Sequence, residues 1–330
     1  SRAKALPPTG AANADEENAM EIVAQALLHF WVAVAIHLWQ TTLVLVPLMV
    51  LGWMLRNAPG RYQAAVAWAA IAKLLLPVAV VAPAVAGIGR ALFPALAGAQ
   101  VESARWVWIS SVLDPVTSAL RPSAASGRVA GIAGASLTLL WAVGATWLLS
   151  RWIVGDSDAG RGRPGGDSDV LAAERLAAAI DGTSIPGACV RLVGDDGMPR
   201  VTGVFAPRIL VPLRLATGLA IEELRAVLLH EEAHRKRRDP MRRAALRCVL
   251  LAFFFYPPAW LLVRRIHDAA EMDCDERAVS GGVPAEVFGR ALAHTLALGL
   301  EPAGRLSAGA LARASLLRRR VLRIRGVRRI

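Results

Sequence analysis

The sequence predicts a mainly helical protein in which multi-span transmembrane helices precede an α+β domain with a small β-hairpin or sheet. Three observations carry this fold class. Long runs without charge crowd the chain before residue 154. A Gly/Asp-rich stretch, 155–169, follows them. Beyond it, helical patterns alternate with short β-like pieces. Composition agrees: 55% of residues are apolar and the mean hydropathy is +0.43, where soluble domains hold about 45–50% apolar residues.

Residues 1–20 are polar and Pro/Ala-rich at their start and read as a flexible tail. The transmembrane region is 21–154. Ile22 to Leu55 has no Asp, Glu, Lys or Arg, and at 1.5 Å per residue it exceeds a hydrocarbon core of roughly 30 Å. It is the first span, 22–55, with Pro47 as a kink. A turn bearing Arg56 and Arg61 leads to a second span, 63–89, interrupted by Lys73; the third is 129–154. Gln25, His29, His37, Gln40 and Thr41 recur at near-helical spacing, a polar stripe suited to gluing helices together. Lys73, a charge near mid-bilayer, is either a functional candidate or the structural partner of a group on another span.

Orientation follows from charge. Arg56 and Arg61 place the first turn in the cytoplasm, and the chain after Arg151 then lies on the same side. So does the C-terminal segment 311–330: nine arginines fall between Arg305 and Arg329 and no acid follows Glu301. Within a net charge of +12, this basic amphipathic end suits anionic headgroups. No nucleic-acid-reading motif accompanies it, so direct nucleic-acid binding is not expected.

In the domain 155–310 a helix is predicted over Val170–Ile180. Strands follow at Cys189–Val193, Arg200–Phe205 and Arg208–Val211, and the Asp-Asp-Gly turn at 195–197 pairs the first two as a hairpin. The next helix starts near Leu219 and ends at Asp239-Pro240, where Asp suits an N-cap and Pro a first helical position. Two further helices, Met241–Tyr256 and Ala259–Val279, are separated by Pro257-Pro258. Val249–Trp260 is apolar on all sides, suited to the inner leaflet or to packing on the spans. Cys189, Cys248 and Cys274 have no CxxC spacing, so the sequence suggests neither a thiolate zinc site nor a disulfide framework.

The chemistry is carried by His230-Glu231-Glu232-Ala233-His234. Residues four apart share a helix face, so both imidazoles reach one ion. Glu231, beside the first of them, is placed as general base towards the water that the metal activates. Thirty-seven residues after His234, Glu271 opens Glu271-Met272-Asp273-Cys274-Asp275. Glu271 supplies a third ligand, and Asp275, again four on, can hold a ligand imidazole from behind. Asp239 is the other candidate for that supporting role.

These pieces resemble the BlaR/MecR-type membrane metallopeptidases, the antirepressor sensors and their relatives. HEEAHRKRRDP (230–240) and FYPPAWLLVRRIHDAAEMDCDERAV (255–279) match the two site segments. GMPRVTGVFAPRILVP (197–212) matches the strand pair, and SLLRRRVLRI (315–324) the arginine-rich segment. The order is right, and the likeness spans roughly residues 20–330. It implies a gluzincin-like fold, Zn2+ held by His230, His234 and Glu271, Glu231 as catalytic residue, and Asp275 behind the ligands. It also implies an edge strand at Arg208, Ile209, Leu210 and Val211 that a substrate extends by backbone pairing.

The expected activity is that of a zinc endopeptidase in a bacterial cytoplasmic membrane, multi-pass, with its catalytic domain on the cytoplasmic side. Its partners would be the bilayer and a protein substrate, a transcriptional repressor or the chain itself, with homodimerisation compatible. In the sensors a further span and an extracellular penicillin-binding domain follow; up to Ile330 no such domain is present, and β-lactam sensing is not assigned. Alternatives are a quality-control or CAAX-type membrane metalloprotease, which usually carries a longer membrane insertion between HExxH and the glutamate, or a non-catalytic zinc-bearing scaffold, which has no need of Glu231.

Overall fold

A computed structural model describes residues 9–76, 127–157, 167–194 and 197–300. The chain forms two compact units, 1–53 with 68–150, and 54–67 with 151–330.

The first unit holds α1 (Thr9–Met54), most of α2 (Gly60–Leu75) and most of α3 (Gly127–Ser157). Helix α1 begins at Thr9, inside the stretch expected to be a loose tail. Two helical stretches, Ala19–Asn57 and Gly131–Val154, are long and apolar enough to cross a membrane. Large side chains such as Phe30, Val46, Leu140 and Trp147 stay exposed on them, an arrangement that suits lipid rather than water. Of the expected second span, α2 covers the first part, and residues beyond 76 lie outside the described region. The polar stripe joins helices. Lys73 Nζ donates to Thr41 Oγ1 (3.3 Å), His37 Nε2 meets the Leu74 carbonyl (2.8 Å), and Trp31 Nε1 donates to Thr138 Oγ1 (2.9 Å). Where α3 crosses α1, a Cβ on Gly134 would lie 2.7 Å from the Leu28 nitrogen, so only glycine permits that approach.

The second unit contains α4 (Asp167–Ile180), β1 (Val190–Val193), β2 (Arg200–Thr202), β3 (Arg208–Pro212) and α5 (Leu213–Gly218). Then come α6 (Ile221–Lys236), α7 (Asp239–Phe253), α8 (Pro257–Ser280) and α9 (Ala285–Leu300). The sheet order is β1-β3-β2, with β1 parallel and β2 antiparallel to β3. Two expectations are thereby corrected. The hairpin is β2–β3 rather than β1–β2. Arg208, Ile209, Leu210 and Val211 lie in the central strand, with β1 on one side and β2 on the other, so this strand is not an edge to which a substrate could add. The β2–β3 turn needs Gly203, whose φ is +92° and whose Cβ would lie 2.5 Å from the Ala206 carbonyl oxygen.

Ile209 and Val211 project from β3 into a core shared with Leu176, Leu215, Leu224, Leu228 and Phe288. This core fixes α6 between the sheet and α9. Helix α6 starts at Ile221, two residues past the expected Leu219, because α5 occupies 213–218; the Glu223 carboxylate reaches back to the Ala220 N–H (3.3 Å). Pro257 and Pro258 open α8 at its first positions. The segment around them is not uniformly buried: Val249, Leu250 and Tyr256 are inside, whereas Phe255, Trp260 and Leu261 are exposed. Residues 301–330, with the basic C-terminal segment, lie outside the described region.

Candidate metal centre

Three ligand atoms converge from two helices. His230 and His234, one turn apart on α6, bring their Nε2 atoms to 3.2 Å from each other. Glu271 on α8 sets one carboxylate oxygen 3.7 Å from His230 Nε2 and the other 3.5 Å from His234 Nε2. Tetrahedral ligands about 2.0–2.1 Å from a zinc ion stand about 3.3 Å apart, so the three donors have the spacing that such an ion requires.

The opposite ring atoms are held from behind. His230 Nδ1 lies 3.1 Å from Asp275 Oδ1, and His234 Nδ1 lies 2.7 Å from Asp239 Oδ2. A carboxylate at Nδ1 fixes the proton there and leaves Nε2 its lone pair for a cation. Asp275 and Asp239, the carboxylates expected behind the ligands, thus lie beside the two rings. Burial alone would raise the Asp239 pKa; the hydrogen bond from His234 and the Arg237 charge outweigh it and hold it below the ordinary carboxylate value. Asp239 also lies 4.0 Å from Cys274 Sγ, but it is already engaged by His234.

Glu231, 8% exposed, lines the same cleft as His230, His234 and Glu271, a space of about 180 Å³. No described residue hydrogen-bonds to its carboxylate or pairs with it. Its neighbour Glu232, 2% exposed, has a different use: Arg235 grips it with two hydrogen bonds of 2.6 and 2.8 Å.

Sequence reasoning missed two sets of residues. The first is Arg237, which reads as one member of a solvated basic run yet is largely enclosed at the α6–α7 corner, its side chain 10% exposed. It donates from Nε to Asp239 (3.3 Å) and from NH1 to Asp273 of α8. The guanidinium therefore ties the carboxylate behind His234 to the turn that carries Glu271. The signal was indirect: Asp239 and Asp273 flank the candidate ligands, and acids buried there must find a cation. The corner itself is tight, with Arg238 in the left-handed region at φ 55°. The second set comes from α9, whose Phe288, Ala291 and Thr295 line the cleft together with Val227 of α6, Arg200 of β2 and Arg243 of α7. Val287-Phe288, Ala291-Leu292 and Thr295 have helical spacing in the sequence, which would have found that wall.

No curated protein and no solved structure matches the chain. A family model does, over residues 30–324, a range that holds α6, α8, the apolar helix Gly131–Val154 and most of Ala19–Asn57: the chain belongs to the BlaR1 peptidase M56 family of membrane-associated metallopeptidases.

Proposed function

We propose that this chain is an integral-membrane zinc endopeptidase that cleaves itself or a cytoplasmic regulator, such as a transcriptional repressor, in a signalling pathway. The single observation that carries this reading is the convergence of His230, His234 and Glu271 with an unengaged Glu231 in the same cleft. Zn2+ suits two imidazoles and a carboxylate; bound there, it would polarise the scissile carbonyl and render a water molecule acidic.

The chain's own residues do the rest. Asp239 and Asp275 keep the imidazole Nε2 atoms turned to the ion. Glu231 takes the proton from the attacking water and returns it to the leaving amine. Strand β2, at the border of the sheet and contributing Arg200 and Val201 to the cleft, offers the edge along which an extended substrate lies, in place of the strand expected from sequence. Three spans, with the peptidase unit in the cytoplasm, complete the reading, supported by the two apolar helices and the Arg56/Arg61 turn.

The test is peptide mapping of the purified chain, and of candidate repressors incubated with it, beside the Glu231→Gln variant. Glu231→Gln retains one zinc per chain and loses cleavage. Cleavage that persists in that variant would falsify the role given to Glu231.

A further inference from the structure

Among the described residues, the cleft holds a cation without a hydrogen-bond or ion-pair partner. Arg243 lies in the second turn of α7, is exposed, and lines the same cleft as the three converging ligands and Glu231. Its guanidinium makes no hydrogen bond and no ion pair with any described residue. The arginines around it differ: Arg235 is bound to Glu232, Arg237 to Asp239 and Asp273, Arg242 to Asp239, and Arg277 to Asp273. The carboxylates that share the cleft, Glu231 and Glu271, are the ones the proposed chemistry engages. A second polar group is also left over: Thr295, 5% exposed in the wall of this cleft, has a hydroxyl without a hydrogen-bond partner. Apart from these groups and Arg200, that side is apolar, formed by Val227, Phe288, Ala291 and Leu292.

We propose that Arg243 forms a carboxylate-binding subsite, so that the cleft selects substrates carrying a carboxylate close to the scissile bond. The inference rests on the peptidase reading above. A guanidinium presents a planar fork that matches a carboxylate through two parallel hydrogen bonds. In a cleft partly shielded from water, such a pair is stronger than on open surface. The carboxylate comes from an Asp or Glu side chain or from a peptide C-terminus; both offer the same two oxygens.

The experiment uses the zinc-loaded full chain in detergent and a proteome-derived peptide library, with products read by mass spectrometry and Glu231→Gln as background. One arm has free C-termini and the other amidated ones. Carboxylate-bearing peptides are expected to exceed matched neutral ones roughly ten- to hundredfold in kcat/KM. If the preference survives amidation, its source is an acidic side chain; if it vanishes, the source is the terminus. Arg243→Ala removes the preference, Arg243→Lys retains part of it, and Arg243→Glu turns it towards Lys and Arg. The side chain is exposed and unpaired, so these variants fold like the parent, which a melting curve verifies. A wild-type library without carboxylate enrichment, or an enrichment that Arg243→Ala leaves intact, overturns the subsite. An equal slowing of every peptide in Arg243→Ala also overturns it, because that is the mark of transition-state stabilisation. Absence of any Glu231-dependent cleavage defeats the peptidase reading and the subsite with it.

Discussion

Removing Arg237 strands two buried carboxylates. Asp239 and Asp273 are 4% and 5% exposed, they come from different helices, and Arg237, its side chain 10% exposed, bridges them. Arg277 and Arg242 also approach these acids, but their side chains are 56% and 43% exposed, so solvent screens much of what they supply. Breaking one partner out of a buried ion pair costs about 3–5 kcal/mol. Partial compensation by the two outer arginines puts Arg237→Met nearer 3, on the order of 10 °C in Tm for a unit of this size. The same change frees Asp239, and with it the His234 ring, while the Glu271 turn loses its tie to α6. Zinc affinity should fall roughly ten- to hundredfold, the usual effect of losing such support. Differential scanning calorimetry of the metal-free chain reads the first effect, and competition with a zinc chelator the second. A double-mutant cycle with Asp273→Asn separates them: a coupling of about 2 kcal/mol or more is expected. Independent, additive losses, or unchanged zinc affinity in Arg237→Met, refute the clamp.

Three other outcomes follow from the same geometry. Asp275→Asn and Asp239→Asn each weaken zinc binding roughly ten- to hundredfold by releasing His230 or His234; chelator competition showing unaltered affinity contradicts that. Alkylation of the folded chain modifies the exposed Cys248 and spares Cys274, because Cys274 is fully buried and burial pushes its thiol well above the usual range, leaving almost no thiolate at neutral pH; rapid native-state labelling of Cys274, seen by peptide mapping, would show that α8 opens. Cysteines introduced at Pro115 and Gly160 should react with an impermeant reagent from outside at the first position alone, and the reverse pattern inverts the topology.

How much of this was legible beforehand differs by element. The convergence of the candidate ligands was, because i, i+4 spacing converts directly into a common helix face: His230 with His234, and Glu271 with Asp275, needed only the recognition of helices. The sheet was not. Strand existence is local, so Val190–Val193 and Arg208–Pro212 emerged within a residue of their expected limits. Pairing is non-local, and the Asp-Asp-Gly signal drew β1 to the wrong partner. What decides the order is burial: Ile209 and Val211 are wholly inside, and β3 is the strand that reaches deepest into the core. The Arg237 clamp failed to appear for a related reason. A run of Arg-Lys-Arg-Arg looks alike whether it points to water or into a corner, and only the placement of Asp273 on α8 distinguishes the third of these four from its neighbours.

The link between α1 and α2 changes the meaning of a domain boundary. Sequence set the peptidase domain at 155–310, yet residues 54–67 belong to the same compact unit. The contact is close. The Gly60 N–H donates to Glu276 Oε1 (3.3 Å), and a Cβ there would lie 2.8 Å from both the Ala269 carbonyl oxygen and the Asp273 nitrogen. The start of α2 therefore rests on the stretch of α8 between Ala269 and Glu276, which carries Glu271, Asp273 and Asp275. A glycine is demanded because backbone meets backbone, and any side chain must push that turn of α8 away. A fragment beginning at residue 155 would lack this support and leave the face behind Glu271 bare. The turn that sequence reads as a simple connection between membrane helices is thus part of the frame that holds Glu271 in register with the two histidines.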